Sequence, residues 1–489
     1  MSHEFGTPAS SGRSGSGTSR RNFLKYSSIA GLAGAGLFTT AACGTAQQQQ
    51  TGAGPSTTAP SAPSGLYNAE DAKAMLAKLE WPTTAIPEPT EPVTITIAST
   101  WPASLLERQG QFDEFFMSRH PNIKIVTEVT PFADYLQKYL TQMAGGSAPD
   151  IMVVTYGWVQ QFLRAGWFLP LDDYIAKQTD FDIDDFTKPA LTFYQNDGKL
   201  YSIPYDCGPL MLFYNKEIFA KGGVPAPTAD WTLDDLKAAG LKLTSGSGRD
   251  KIFGLNGVPY PDGFFSANYL APFGGRYLND DETSCLLGEQ AAIDAAKWWM
   301  DPFLNNGMMP TDADSKALGA DAFTLGRAAM AIQGTWAASG LIEQAEFDWA
   351  IAPYPKGPKR HTTAAAGSGY SITKQCQNPD AAWIYLNEYL SSAGQQFMWA
   401  STGLGSPSRA SAWDAYLTSE YAPEGAKFAL DALTSYATTE GVNFAPATPK
   451  VDATSRPIWD EVLGGNKSVE DACNEIVQKL TPILAQNRS

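Results

Sequence analysis

The chain has 489 residues, 43% apolar and 18% charged, with 44 glycines and 33 prolines, a globular composition of two-domain length. A net charge of −16 argues against a protein that tracks a nucleic-acid backbone, and three histidines, His3, His120 and His361, leave little for a histidine-rich metal site or triad. The five cysteines lie far apart, none in a Cys-x-x-Cys pair, which excludes a zinc ribbon and a disulfide-dense scaffold and leaves the pairing of Cys207, Cys285, Cys376 and Cys473 open.

Residues 1–42 read as an export signal. Arg20 and Arg21 precede Phe23, Leu24 and Lys25, a weakly apolar Ala/Gly-rich stretch covers 29–38, and Thr40, Ala41 and Ala42 lead to Cys43. The apolar part is shorter than the ~20 residues a spanning helix needs, whereas the order basic, apolar, small fits secretion. The arginine pair looks like a twin-arginine signal. The residues before Cys43 resemble a lipoprotein cleavage box, with Thr40 where leucine is common, so Cys43 is the expected lipidation site and the outer face of the cytoplasmic membrane the expected location. Cleavage leaves 447 residues; the removed piece carries four basic residues and one acid, so the net charge becomes −19. Residues 43–92 then form a low-complexity tether to Gly65, a short amphipathic helix capped by Asn68 with Ala72, Met75, Leu76 and Leu79 on one face, and a stiff linker with Pro82, Pro87, Pro89 and Pro92.

The body alternates strand and helix signals. A strand is expected at 93–98, a helix at 105–119 with Phe112 and Phe116 on its apolar side, a strand at 123–129, a helix at 132–144 and a fully apolar strand at 151–154. This order predicts an α/β fold with doubly wound sheets, whose ligands bind beyond the carboxyl ends of strands. That rule selects Thr100 and Trp101 after the first strand, and Tyr156 and Trp158 after the third. Residues 200–215, interrupted by Pro204 and Pro209, read as extended chain passing between units. Further helices are expected from Thr232, at 290–300 and at 379–390, with strands at 327–332, 347–352 and 364–373. Gly334, Thr335 and Trp336 again place a Trp and a hydroxyl where a strand ends. Ser468 and Asp471 suit a capping box on the last helix.

From Val93 onward the chain resembles the extracellular solute-binding proteins of ABC importers, in the family that captures sugars. The resemblance rests on the region from Phe116 through Ala148-Pro149-Asp150-Ile151, on "GKLYSIPYDCGPLMLFYNKEIF" from Gly198, on "GRAAMAIQGTW" ending at Trp336, and on the stretch from Trp349 to Leu390 with its "NPDAAWIYLNEYL" helix. It implies a periplasmic-binding-protein-like fold of two α/β lobes, 93–205 plus 360–408 and 206–359 plus 409–489. Crossing segments would lie near 203–208, 353–361 and 404–409, with the ligand in the cleft between the lobes.

Carried over by position, Trp336 is the expected sugar-stacking aromatic: a flat ring covers the apolar face of a sugar with little loss of side-chain entropy. Tyr205 and Asp206 lie at the first crossing, where a carboxylate can accept hydroxyl bonds. Gly367, Ser368 and Tyr370 follow the second, and Phe264, Asn268 and Arg409 complete the candidate set. Trp231, Trp298 and Trp299 read as packing residues. The expected protein is a monomeric carbohydrate receptor that hands its ligand to permease subunits, with no bond chemistry, cofactor or nucleic acid. The rival readings are the same fold binding a non-sugar solute such as a polyamine or peptide, and a secreted enzyme acting on glycosides with two carboxylates.

Overall fold

The computed structural model describes residues 69–101, 103–257, 260–261, 266–403, 405–439 and 448–485. The signal, Cys43, most of the tether, Asn68, Phe264 and Leu404 lie outside the described residues.

The first lobe is built on β1 (Val93–Ser99), β2 (Ile123–Val129) and β3 (Ile151–Thr155). Alternation buries Ile95 and Ile97 of β1, and all five residues of β3 are buried, as a central strand covered on both faces requires. β1 runs parallel to both neighbours, with Val93 opposite Ile123 and Ile97 opposite Ile151. Asp150 sets that register. Its carboxylate accepts from the backbone N–H of Thr96 at 2.8 Å and from the Thr96 hydroxyl at 2.7 Å. The helix Ala103–Arg119 covers the sheet with Phe112 and Phe116, both fully buried.

After β3 the chain forms a small hairpin, β4 (Gln195–Asn196) and β5 (Lys199–Leu200), and returns to the first sheet as β6 (Ile203–Pro204). It then enters the second lobe as β7 (Gly208–Asn215). β7 is buried at every position and forms the spine of a sheet completed by β8 (Phe253–Asn256), β9 (Ala328–Gly334), β10 (Trp349–Ala352), β11 (Thr363–Ala366) and β13 (Ala437–Thr438). The stretch expected to be extended chain passing between units is that: it leaves the first sheet at β6, crosses at 205–207, and its second half is the central strand of the second lobe. Pro204 ends β6 and Pro209 is the second residue of β7, so the two prolines bracket the crossing. β12 (Ser368–Ile372) belongs to the first sheet, whose order is β2-β1-β3-β12-β6. β12 is antiparallel to both β3 and β6, so the parallel, wound part of that sheet is β2-β1-β3.

The change of sheet between β11 and β12 takes place at Gly367 alone. The segment 353–361, expected as a crossing, instead joins two strands of the second sheet, and the single strand expected at 364–373 is two strands in different sheets. The crossings seen are 205–207, Gly367 and the run up to Arg409, where Asp206 pairs with Pro407. The terminal helices Thr448–Leu463 and Val469–Ala485 pack with Gln290–Leu304 in the second-lobe core. Trp299 is buried there and Trp298 stands edge-on to it. Asp471 N–H donates to the Ser468 hydroxyl at 3.0 Å. Cys207, Cys285, Cys376 and Cys473 are all free thiols and all buried.

The helix Ala69–Leu76 packs on the first lobe through Ala72 and Leu76. Trp81 donates its indole N–H to the Leu76 carbonyl at 2.9 Å and lies 5.5 Å from Phe112 and 5.1 Å from Phe115. The proline-rich linker is held by His120, whose two ring nitrogens lie 2.9 Å from Glu88 and from Glu388. Burial opposes a charge on His120, but the two carboxylates outweigh it and raise the imidazole above its usual value.

Asp113 faces the same helical layer. It accepts from the Tyr385 hydroxyl at 2.7 Å, and burial lifts its carboxyl to about 7. A carboxyl raised in the folded state binds its proton more tightly there than in the unfolded chain. It therefore costs stability as pH climbs from the unfolded value near 4 to about 7. Asp113→Asn, which keeps an acceptor for Tyr385, is expected to remove that cost. Compared with the parent, its melting temperature should be unchanged near pH 4 and higher at pH 8, a difference on the order of 2 kcal/mol after allowing for partial solvent contact. Equal differences at both pH values would show that Asp113 titrates alike folded and unfolded.

Candidate ligand-binding cleft

The ends of β1, β3 and β9 and the crossing strands converge on a cleft of about 480 Å3. Its first-lobe wall comes from Thr100, Trp101 and Leu105 after β1, Phe132 after β2, and Thr155, Tyr156 and Trp158 at the end of β3. The floor is Tyr205, Asp206, Gly367 and Ser368 at the crossings, with Trp399 beside them. Trp336 and Ser339 close it from the end of β9. Parallel strands bring their carboxyl ends to one edge of the sheet, so this convergence follows from the order of the elements.

The aromatics form a supported framework rather than a loose set. Trp101 meets Tyr205 edge-on at 4.9 Å, and Tyr205 stacks on Trp399 at 5.1 Å and 12°. The Trp101 indole donates to the Tyr370 hydroxyl at 3.0 Å, which fixes its orientation. Trp158 is stacked on Tyr135 at 5.5 Å, and the ring of Phe132, 59% exposed, lies 4.6 Å from that of Trp158. Trp336 is partly buried and faces the first-lobe wall from the second lobe, across the cleft that both line. Its ring lies over Gly334, where any Cβ would collide with it, which is the reason for a glycine there.

Asp206 is the polar centre. One carboxylate oxygen accepts the Ser368 N–H at 2.6 Å, tying the first crossing to the second. Burial raises its carboxyl to about 7, opposed by that hydrogen bond. Gly367 makes the closeness possible, because a Cβ there would strike the Asp206 carbonyl. No Lys, Arg or His is among the described residues that line the cleft. Among the described residues, no group of three or more His, Cys, Asp or Glu is placed to hold a metal ion.

Of the residues selected from sequence, Thr100, Trp101, Tyr156, Trp158, Tyr205, Asp206, Trp336, Gly367 and Ser368 line this cleft. Three do not. Tyr370 lies beneath it as the acceptor for Trp101. Asn268 is buried elsewhere, bonded to the Thr363 hydroxyl at 2.9 Å and to the Ala364 N–H at 2.7 Å. Arg409 is spent inside the first lobe on the carbonyls of Phe181, Asp182 and Leu390 and on Asp185. Leu105, Phe132, Thr155, Ser339 and Trp399 were not selected. The strand-end rule applied to β2 would have reached Phe132; Trp399 sits on a π-helical turn, Gln396–Ala400, with no strand end to mark it.

Residues 94–396 match the bacterial extracellular solute-binding protein family. The chain belongs to that family. Among relatives of this solute-binding protein, a binding protein of Brucella abortus (strain 2308) is 28% identical over 282 residues, 56% of this chain and 66% of that one. The maltotriose-binding protein of Pyrococcus abyssi is 26% identical over 287 residues, 56% of this chain and 57% of that one. The match thus spans less than two thirds of each relative's length. In fold, the solute-binding protein is similar to the ABC substrate-binding protein of Listeria monocytogenes solved with cycloalternan. That TM-score is 0.72 at 24% identity, covering 81% of this chain and 99% of that one. Family and fold neighbours are binding proteins rather than enzymes. Among the described residues no helix is long and apolar enough to cross a membrane.

Proposed function

We propose that this protein captures a neutral carbohydrate, an oligosaccharide in particular, between its lobes and delivers it to the permease of an ABC importer. The observation that carries the reading is the cleft: aromatic faces on several sides, one carboxylate, hydroxyls from Thr100, Thr155, Ser339 and Ser368, and no cation among the described lining residues. Such a lining offers stacking and hydroxyl acceptors to a sugar and nothing to neutralise a phosphate or sugar acid. Sugar-named relatives, among them maltotriose- and maltodextrin-binding proteins, support the same choice. Paired-carboxylate hydrolysis needs two acids across the scissile bond, and Asp206 is the one carboxylate of the described lining. The protein is thus read as a monomeric receptor, without cofactor, held outside the cytoplasmic membrane by a lipid on Cys43.

Titration calorimetry with mono- and oligosaccharides, including maltotriose, lactose and cycloalternan, tests the ligand class. The expected outcome is saturable binding of at least one neutral sugar and no new products on prolonged incubation. Binding of a polyamine or peptide with none of the sugars would replace carbohydrate by another solute, and appearance of shortened sugars would make the protein an enzyme. Cys43→Ala is expected to move the protein from the membrane fraction to the soluble fraction, checked by fractionation and immunoblotting; undiminished membrane association would dismiss the lipid anchor.

A further inference from the structure

One contact between the lobes lies outside the crossings and the cleft. Arg164 Nη2 stands 3.8 Å from Glu282 Oε2. Arg164 ends the helix Val159–Arg164 of the first lobe, and Glu282 sits in the second lobe between Leu278 and Cys285, which pair across a hairpin.

The hairpin tip is stiff. The Asn279 side chain accepts from the N–H groups of Thr283 at 2.8 Å and Ser284 at 2.9 Å, and Glu282 N–H donates to the Asn279 carbonyl at 3.0 Å. Glu282 itself is held at φ +53°, a left-handed conformation unusual for a residue with a side chain. The tip also reaches past the cleft. Trp158 lines the cleft, whereas Arg164 lies a helix length of about 9 Å further back. The chain beyond Arg164 pairs Phe168 with Thr373, at the end of β12 remote from Ser368. The second lobe therefore overlaps the flank of the first.

We propose that the hairpin 278–285 is a strap over the side of the first lobe, fastened by the Arg164–Glu282 ion pair, which parts when the lobes open. The pair is partly solvent-exposed, with Arg164 at 43% and Glu282 at 20%. Removing one partner is therefore expected to raise the open-to-closed ratio about two- to fivefold.

Single-molecule energy transfer on the ligand-free chain reads that ratio directly and needs no knowledge of the sugar. Dyes at Lys124→Cys and Lys316→Cys, both exposed and on opposite lobes, report the separation; a Cys43→Ser background suffices because the other four cysteines are buried. Arg164→Gln and Glu282→Gln should each raise the ratio, the double variant should raise it no further, and Arg164→Glu with Glu282→Arg should restore it. Added salt should open the parent and leave the double variant unmoved. An unchanged ratio, additive single effects, no recovery on charge exchange, or a single unopened population in every variant would overturn the strap. A circular-dichroism melt confirms that each variant is folded.

Discussion

Trp336→Ala is expected to lower the affinity for the proposed sugar ligand about 30-fold, the ~2 kcal/mol typical of a stacked aromatic at the centre of a binding surface. Two features select Trp336 for the largest expected effect. It lines the cleft from the second lobe, opposite Trp101, Tyr156 and Trp158 of the first-lobe wall. Its ring is braced by the bare backbone of Gly334, which reduces the freedom lost on binding. Trp336→Phe should retain part of the affinity, because a smaller face still stacks. Calorimetry with the best sugar of the panel measures both. Unaltered affinity in Trp336→Ala would remove the residue from the site, and a large drop in melting temperature would reassign it to the core.

Arg409→Ala, in contrast, should cost stability and leave affinity alone. The guanidinium donates to the carbonyls of Leu390 at 2.8 Å, Asp182 at 3.0 Å and Phe181 at 2.7 Å, and to Asp185 at 3.2 Å. It lies 4.1 Å above the Phe186 ring and 4.9 Å from that of Phe181. Truncation strands the buried carbonyls of Leu390 and Phe181, the partly buried one of Asp182 and a carboxylate at 13% exposure, a loss of about 3 kcal/mol. Asp185 keeps the Ser411 N–H and hydroxyl, which sets the value at the low end. Arg409→Lys should recover little, since an ammonium cannot span three divergent acceptors. Urea unfolding measures the loss. A stable variant with collapsed sugar affinity would return Arg409 to the binding site.

These two residues also mark what the sequence made legible. Strands β1, β2 and β3 follow from alternation and from the unbroken apolar run of β3. The strand-end rule then found Trp101, Tyr156 and Trp158 without further help. Trp336 was visible for the same reason at the end of β9. Arg409 and Asn268 were misplaced because a polar residue near a crossing looks available. Both satisfy demands of the interior instead, Arg409 for loop carbonyls and Asn268 for the N–H of Ala364. β7 was obscured by Pro209 at its second position and by Pro204 just before the crossing, which make the whole stretch look like a connection. The split of 364–373 was hidden because the apolar pattern of β11 and β12 continues through Gly367 and does not say which sheet each half joins.

Gly367 has a mechanical consequence. Two strands in different sheets separated by one residue share a single pair of backbone torsions. Those torsions lie beside Asp206, which is itself bridged to Pro407. A joint this short, bound to its neighbours by hydrogen bonds, resists sliding and stretching. Any rotation of one sheet against the other must therefore turn 206, 367 and 407 together. A given rotation displaces atoms more the farther they lie from these three positions, so the outer rim of the cleft moves most.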